Sequence, residues 1–366
     1  MKRFNVFNEK KVLLTGHSGF KGGWLASWLI SLGAKVYGIS LEDPSSPCFS
    51  KVVNLNDRME TYHLDIRDAR KFLKIFVDVK PDFVFHLAAQ ALVRQSYANP
   101  IDTVATNLMG TVSVLDAIRS ADWELSCVFI TSDKSYRNKE WFWGYREHDE
   151  LGGSDPYSAS KAMAELAIKS YFDSYISKMS NVALGVARAG NVIGGGDWAH
   201  DRIVPDAVFS LEQRKVLEVR SPKATRPWQH VLEPISGYLN LATMLSSTAD
   251  INGEAFNFGP TSEQNRTVAD LLNKMKVFWP EVDWIDISKD RTFDHEAGLL
   301  KLNCDKALHL LNWRPALSFE QTVKMTVDWY RLFYEGDKAN LSKFVQIQIG
   351  EYIDVAKKQN IEWALG

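Results

Sequence analysis

With 366 residues, of which 45% are hydrophobic and 24% charged, the chain is long enough for one full domain and a second, smaller lobe. A formal net charge of −2 and the lack of a long Lys/Arg run argue against nucleic acid or a membrane surface as the main partner. No run of about 18 apolar residues and no signal-peptide core occur, which predicts a cytoplasmic protein. Cys48, Cys127 and Cys304 are too scattered for a disulfide framework or a metal site.

The first predicted strand, residues 11–14, runs into a glycine-rich turn that leads into a helical segment, residues 24–32. Such a turn lets the backbone approach a pyrophosphate, which then lies at the positive end of the helix dipole. The glycines have G-x-x-G-x-x-G spacing, and the strand-to-helix context favours nucleotide binding. The predicted cofactor-binding residues of the turn are Gly16, His17, Gly19, Phe20, Lys21 and Gly22.

The second predicted strand, residues 35–40, ends where a Rossmann fold usually places an acidic residue on the adenosine ribose. Ser40 occupies that position here, with Glu42 and Asp43 just beyond it. Because no Arg follows the strand to pair a 2′-phosphate, the segment favours NAD over NADP.

The third predicted strand, residues 60–64, is followed directly by Asp65 and Ile66. Both are predicted to meet the adenine of the cofactor. Asp65 could equally be the N-cap of the helix predicted over residues 67–78.

The fourth predicted strand, residues 82–87, is a buried-strand pattern that ends in small residues. Small residues let the chain pass close to a cofactor, and Gln90 follows at the carboxyl end of the sheet, where ligands of open α/β sheets bind. His86 is interpreted as a core histidine. The predicted cofactor-lining residues are Leu87, Ala88 and Ala89.

Two further strands, residues 125–131 and 182–188, complete the alternating pattern, and Asn107 lies in the helix predicted over residues 101–120. Strands alternating with helices imply an α/β fold, a Rossmann-type doubly wound parallel sheet with a smaller C-terminal α/β substrate lobe. The predicted domains are residues 1–189 for NAD and 190–366 for substrate. The chain is expected to return to the first domain around residues 226–250.

Tyr157 and Lys161 are four residues apart at the start of a predicted helix, residues 159–175, so both side chains share one helical face. A neighbouring ammonium favours the phenolate and so is expected to lower the pKa of Tyr157. The pair could then take a hydroxyl proton near neutral pH. The alternative is a half-buried Tyr and a solvated Lys on an ordinary helix.

A glycine-rich crossover, residues 189–198, leads into the second lobe, where two segments add basic and aromatic groups, residues 226–231 and 291–296. An Arg there could pair a diphosphate while an aromatic ring stacks on a base. Each segment could also be a surface loop.

The segment from Thr131 to Lys161, the turn at 16–22 and Gly-Asn-Val-Ile-Gly-Gly-Gly-Asp-Trp at 190–198 together resemble the nucleotide-sugar 4,6-dehydratases of the extended short-chain dehydrogenase/reductase superfamily. The resemblance covers nearly the full chain. Its most specific feature is Ser132-Asp133-Lys134. Dehydratases acting on dTDP-glucose and GDP-mannose carry Glu where this chain has Lys134, and the substitution matches the CDP-glucose branch of the family.

The resemblance implies an NAD-dependent hydro-lyase that acts on CDP-glucose. Tyr157, activated by Lys161 and aligned by Ser132, would take the proton of the sugar C4 hydroxyl. Lys134 would remove the C5 proton while Asp133 protonates the departing C6 hydroxyl. These roles require a lowered pKa for Lys134 and a raised pKa for Asp133, and an ordinary ion pair between the two would contradict them.

The resemblance also implies substrate contacts and a homo-oligomer, either a homodimer or a homotetramer. The family commonly pairs through two helices that correspond to residues 101–120 and 159–175. The predicted substrate-binding residues are Gln90, Ser132, Asn191, Arg202, Arg226 and His230.

Two other functions are compatible with parts of this pattern. A nucleotide-sugar C4 epimerase shares Tyr157, Lys161 and the glycine turn, but it has no elimination for Asp133 and Lys134 to serve. A non-catalytic NAD sensor could use the same fold, although it would have no need of the Tyr and Lys.

Overall fold

A parallel β-sheet forms the centre of the molecule in the computed structural model, which describes residues 3–261, 265–288 and 299–365. The strands are β1 (Lys11–Thr15), β2 (Lys35–Ser40), β3 (Glu60–His63), β4 (Phe83–His86), β5 (Leu125–Ile130), β6 (Val182–Ala189), β7 (Val192–Ile193), β8 (Leu217–Val219), β9 (Thr225–Pro227), β10 (Gln229–His230), β11 (Ala255–Phe258), β12 (Asn265–Thr267) and β13 (Trp284–Asp286). Seven of them form one parallel sheet in the order β11-β6-β5-β4-β1-β2-β3. The predicted doubly wound parallel sheet is therefore confirmed.

Helices connect these strands and pack on the sheet. They are α1 (Phe20–Ser31), α2 (Phe49–Val52), α3 (Ala69–Val79), α4 (Val93–Ala98), α5 (Pro100–Val104), α6 (Gly110–Ile118), α7 (Pro156–Ser174), α8 (Ile203–Glu212), α9 (Leu232–Leu245), α10 (Val268–Phe278), α11 (Asp305–Leu311), α12 (Phe319–Glu335), α13 (Leu341–Lys358) and α14 (Glu362–Leu365). No helix in the described part of the chain is both long enough and apolar enough to span a bilayer.

The order of the strands locates a crevice at β1. The chain runs outward from β1 to β2 and β3 on one side, and to β4, β5, β6 and β11 on the other. Open α/β sheets bind ligands at the carboxyl ends of their strands where the order reverses in this way. The glycine turn follows β1 at this point.

The core lies on both faces of the sheet, and alternation along the strands divides it. Val12 and Leu14 of β1 face one hydrophobic cluster, whereas Leu13 faces the other. In β4, Phe83 and Val84 divide in the same manner. Strands covered on both faces are apolar at successive positions, which is why these segments lack a polar alternation.

Helix α3 begins two residues later than predicted, and its N-cap is Asp68 rather than Asp65. The Asp68 carboxylate accepts a hydrogen bond from the Lys71 amide at 3.1 Å, as an N-cap side chain does. Asp65 instead accepts from the Arg67 amide at 2.9 Å and pairs with the Arg67 guanidinium. The capping interpretation of Asp65 was therefore wrong.

The helix predicted over residues 101–120 is interrupted by a π-helical turn, Ala105–Met109, between α5 and α6. Such turns insert one extra residue and often occur at functional sites. This turn carries Asn107.

The hydrophobic core contains residues from both sides of residue 189. The division of the chain into two domains at this residue stays a prediction. Trp28 of α1 makes edge contacts with Tyr352 of α13 and Trp363 of α14, at ring-centroid distances of 5.8 and 6.1 Å. The return of the chain to the sheet runs through α9 to β11 and so extends past residue 250. The basic segment at 291–296 lies outside the described residues.

Candidate active site

Two glycines of the turn at the end of β1, Gly16 and Gly22, have no room for a Cβ atom. Gly16 has a φ of +80°, and a Cβ there would lie 2.8 Å from the Ala88 amide nitrogen. A Cβ on Gly22 would lie 2.1 Å from the Gly16 carbonyl oxygen. Gly19 is the N-cap of α1, and no side chain caps that helix end. The turn thus presents backbone N–H groups at a helix N-terminus, which suits a pyrophosphate.

The end of β4 is tied to the glycine turn. Thr15 Oγ1 accepts hydrogen bonds from the amides of Leu87 and Ala88, each at 3.2 Å. His86 is satisfied on both ring nitrogens, by Thr15 at 2.8 Å and by Thr111 at 3.1 Å. It is the core histidine that the sequence predicted. The half-buried chain from Leu87 onward, including Ala89, lies at the crevice.

A cavity of about 640 Å³ adjoins the turn on the β2 side. His17, Ser40, Glu42 and Asp43 are among the residues that line it, at the position where the sequence predicts the adenosine ribose. Asp43 forms an ion pair with Lys51 at 2.5 Å. Ile66 is buried instead and packs against Gly110, where a Cβ would lie 2.4 Å from the Ile66 Cδ1 atom. Ile66 thus supports the site from the core.

Tyr157 and Lys161 lie in the first turns of α7, which Asp155 caps by accepting a hydrogen bond from the Ser158 amide at 2.9 Å. Pro156 is at the first helical position, which its fixed φ favours. Tyr157 and Lys161 are each only 8% exposed. The alternative of a solvated Lys on an ordinary helix was therefore wrong.

The expected direction of the Tyr157 pKa was also wrong. Burial raises the pKa of Tyr157 to about 12, and the nearby Ser132 side chain only partly opposes the rise. Burial lowers the pKa of Lys161 to about 8. The cost of removing the phenolate from water, which has no signal in the sequence, exceeds the attraction of a neighbouring ammonium for the phenolate.

Ser132, Asp133 and Lys134 form a single tight turn after β5. The Ser132 hydroxyl donates to Asp133 Oδ1 at 3.1 Å and accepts from the Lys134 amide at 3.2 Å. Asp133 is only 4% exposed, and burial raises its pKa, with the charges of Lys134 and Lys21 opposing the rise. Asp133 and Lys134 both belong to the described part of the chain, and no ion pair within 4.0 Å joins them there.

Lys21 extends into this cluster. Its ammonium donates to the Tyr238 hydroxyl on α9 at 3.4 Å. Burial lowers the pKa of Lys21 to about 8, as do the charges of Arg202 and Lys161, whereas Asp133 raises it. Tyr238, which the sequence analysis missed, is fully buried beside both Asp133 and Tyr157. Phe20, the neighbour of Lys21, points toward Gly194, where a Cβ would lie 3.2 Å from the Phe20 Cζ atom.

Asn107 joins three parts of the site. Its carboxamide accepts from the Gln90 amide at 2.8 Å and donates to the Gln90 carbonyl oxygen at 3.0 Å and to the Ser160 hydroxyl at 2.8 Å. The Gln90 side chain is engaged by Leu92 and by Thr103, both of which accept from its Nε2 atom. Gln90 therefore holds its own loop, and its contact with substrate stays a prediction.

The glycine-rich crossover meets the Ser132–Lys134 turn. A Cβ on Gly190 would lie 2.9 Å from Asp133 Oδ2, so only glycine leaves that oxygen clear. Asn191 follows and is half-buried. Farther along, the Arg202 guanidinium donates to Asp197 at 2.7 Å, and its side chain is half-buried.

Arg226 and His230, two predicted substrate contacts, differ in position. Arg226 lies half-buried on β9, opposite Arg266 of β12. His230 is completely buried, with its ring edge against Trp24 at a centroid distance of 5.8 Å. Burial lowers the pKa of His230 to about 3. His230 therefore lies in the core, since the apolar surroundings of β10 enclose its ring. The prediction that it contacts substrate was wrong.

A buried ion pair beneath the site had no signal in the sequence. Arg188 Nε donates to both carboxylate oxygens of Glu165, at 2.9 and 2.8 Å. Glu165 Oε1 also accepts from Thr131 at 2.7 Å and from Ser135 at 2.9 Å. Arg188 Nη1 donates to the Tyr136 hydroxyl at 2.7 Å. The network fastens both ends of the Ser132–Lys134 turn to α7 and β6.

Comparisons with known proteins agree with this geometry. The family described as GDP-mannose 4,6 dehydratase matches residues 13–326. The chain is 43% identical over 338 residues to CDP-glucose 4,6-dehydratase from Salmonella typhimurium, covering 91% of this chain and 94% of that one. These matches confirm the resemblance inferred from the motifs.

Solved structures show the same fold. UDP-glucose 4-epimerase from Thermotoga maritima superposes with a TM-score of 0.76 at 22% identity, covering 88% of this chain and 99% of that one. dTDP-glucose 4,6-dehydratase from Bacillus anthracis, solved in complex with NAD, has a TM-score of 0.72 at 19% identity, covering 89% and 98%.

The parallel sheet, the glycine turn after β1 and the Tyr157–Lys161 pair define the class of short-chain dehydrogenases/reductases. Within that class the match over residues 13–326 is decisive. The chain belongs to the GDP-mannose 4,6-dehydratase family.

Proposed function

We propose that this protein is a CDP-glucose 4,6-dehydratase that uses NAD and converts CDP-glucose to CDP-4-dehydro-6-deoxy-glucose. The observation that carries the proposal is a buried Asp133 carboxyl beside Tyr157, with no ion pair to Lys134 within 4.0 Å. The 43% identity to the Salmonella typhimurium enzyme supports CDP-glucose as the substrate.

The residues around β1 fit a dinucleotide. Gly16 and Gly22 leave the space that the pyrophosphate needs, and the cavity at Ser40 takes the adenosine portion. Asn107 positions the loop at Gln90 beside it. When bound, oxidised NAD has a cationic ring that can accept the hydride from the sugar C4, and the reduced form can return this hydride to C6.

Tyr157 is the base for the C4 hydroxyl in this proposal. Ser132 lies beside the phenol and orients it, and Lys161 provides a cation one helical turn away. Because burial alone raises the pKa of Tyr157, the phenolate needs the positive charges of the assembled site. The proton from the C4 hydroxyl moves to the Tyr157 oxygen.

Asp133 and Lys134 carry out the elimination. Lys134 removes the C5 proton, which the C4 ketone has made acidic, and the electron pair forms the C5–C6 double bond. The C6–O bond breaks, and Asp133 gives its proton to the departing hydroxyl, which leaves as water. Burial supplies the raised pKa that an Asp needs to carry a proton into this step.

Away from the reacting atoms, Asn191, Arg202 and Arg226 bind the diphosphate of the substrate in this proposal. Arg202 is suited to this because Asp197 fixes its guanidinium through Nη1, and its charge acts on Tyr157 and Lys21 in the site. Bidentate pairing to phosphate is the strength of an Arg so held.

The protein is also proposed to be a homo-oligomer that pairs through α5, α6 and α7. Apolar side chains on α5 and α7 face outward, including Ile101 at 84% and Leu166 at 59% exposure. An exposed apolar face on adjacent helices is typical of a protein–protein interface.

Incubation of the protein and NAD with CDP-glucose, dTDP-glucose, UDP-glucose or GDP-mannose, each alone, tests the function by product mass. Loss of one water from CDP-glucose, with no net NADH, is the expected result. An unchanged mass with a new hexose stereoisomer would make the protein a C4 epimerase. No change with any sugar would favour the non-catalytic sensor.

A further inference from the structure

Lys21 is in an unexpected place for a residue of a phosphate-binding turn. It lies in the first turn of α1, yet its ammonium reaches across the crevice to the Tyr238 hydroxyl on α9, at 3.4 Å. The same ammonium is 5.9 Å from the centre of the Tyr238 ring. Lys21 is thus aimed at the sugar end of the site rather than along the turn.

The acid of the elimination lies next to this Lys–Tyr pair. Asp133 Oδ1 accepts from Ser132, whereas Oδ2 faces the backbone at Gly190, where no side chain intervenes. The charges of Lys21 and Asp133 act on each other, and Asp133 also acts on Tyr238. Two lysines, Lys21 and Lys134, therefore act electrostatically on one buried carboxyl.

The two lysines cannot have the same task. Lys134 must be neutral when the elimination begins so that it can accept the C5 proton, and it gains a charge only as that proton is transferred. Lys21 is fixed by Tyr238 on the opposite element and has no proton to accept in the reaction. It is free to remain an ammonium through the elimination.

We propose that Lys21, held by Tyr238, is a positioning residue for the elimination that stabilises the Asp133 carboxylate as it forms. The inference rests on the proposed function. As the C6–O bond breaks, the proton passes from Asp133 to the departing hydroxyl, and a negative charge develops on the carboxylate. A fixed cation favours that charge in the transition state and has little effect on the neutral acid before it.

The test separates the half-reactions in holoenzyme mixed with CDP-glucose. NADH absorbance reports oxidation at C4, and product mass reports loss of water. Lys21→Met should still form bound NADH but lose water about 10²-fold more slowly, so that NADH accumulates. Lys21→Arg keeps the cation and should retain most of the elimination rate. Lys71→Met, an exposed lysine on α3, is the control and should behave as the wild type.

Two further variants distinguish this role from packing. Tyr238→Phe keeps the buried ring and should slow the same step by less than Lys21→Met does. An Asp133→Asn variant has no carboxylate to stabilise. Adding Lys21→Met to it should therefore lower the rate of water loss little further.

Equal loss of NADH formation and water loss in Lys21→Met, together with weaker NAD binding, would overturn the proposal and return Lys21 to the cofactor site. Undiminished water loss would overturn it as well. If the wild type itself removes no water from CDP-glucose, the proposed function fails first, and this outcome is distinct from both.

Discussion

Arg188 Nε contacts both carboxylate oxygens of Glu165 in the core beneath the candidate active site. The pair joins the end of β6 to the middle of α7 and is almost completely buried. Removing one partner of such a pair leaves an uncompensated buried charge.

Glu165→Ala is therefore expected to lower the free energy of unfolding by about 3–5 kcal/mol. Asp173→Ala, which breaks the exposed Lys169–Asp173 pair on the same helix, should cost less than about 1 kcal/mol. Urea unfolding of both variants makes the comparison. Similar losses in the two would mean that the buried pair does not stabilise the turn at Ser132.

Lys134→Ala and Tyr157→Phe should fail at different steps. Tyr157→Phe removes the base for C4 oxidation and should slow the formation of bound NADH by about 10²–10⁴-fold. Lys134→Ala should form NADH and then stop before water is lost. Single-turnover absorbance and product mass distinguish the two, and equal loss of both steps in Lys134→Ala would remove that residue from the elimination.

Gly22→Ala should weaken NAD binding by at least about tenfold, because the new methyl group would lie 2.1 Å from the Gly16 carbonyl oxygen and displace the turn. Gly19→Ala places its methyl group at 3.4 Å from the same oxygen and is the matched control. Calorimetric titration with NAD measures both. Unchanged binding in Gly22→Ala would show that the turn does not hold the pyrophosphate.

Glu233 should make the stability of the protein fall as the pH rises. Its carboxylate accepts from the amides of Ala316 and Leu317 and from the Tyr352 hydroxyl, and burial raises its pKa to about 7. The folded state binds the proton more tightly than the unfolded state, whose pKa is near the ordinary 4.5. The stabilisation is complete below that value and is lost by about pH 7.

Protonation of Glu233 contributes at most about 3 kcal/mol to the free energy of unfolding. Glu233→Gln keeps an acceptor for the two amides but cannot titrate. Its unfolding free energy should lack the wild-type decline between pH 4.5 and 7. Parallel curves for the two proteins would contradict the assignment.

Pairing through α5 and α7 predicts that Ile101→Glu combined with Leu166→Glu yields monomers in sedimentation experiments. Val277→Glu on α10, at a site 67% exposed, is the control and should leave the assembly intact. An unchanged mass for the double variant would place the interface elsewhere.

The sequence was sufficient for the features that depend on local pattern. The strand at residues 11–14, the glycine turn and the helical spacing of Tyr157 and Lys161 follow from neighbouring residues, and the structure places all of them as expected. Asp133 was identified through the resemblance of Ser132-Asp133-Lys134 to the nucleotide-sugar dehydratases.

Other features depend on contacts between distant segments or on burial. Tyr238 lies in an apolar helix with no motif and reaches the site only because α9 packs on the sheet. The pairing of Glu165 with Arg188 could not be told from two solvated charges. His230 looked like a substrate contact because burial by Trp24 has no local signature.

The aromatic contact of Trp28 with Tyr352 and Trp363 has a consequence for engineering. Exchanging the C-terminal half with that of a relative, to change the nucleotide recognised, would replace one side of a shared interior and leave mismatched rings beneath α1. Transplants confined to the segments that carry the proposed substrate contacts Asn191, Arg202 and Arg226 leave those rings in place, so nucleotide specificity is better redesigned in these short segments than by recombining halves.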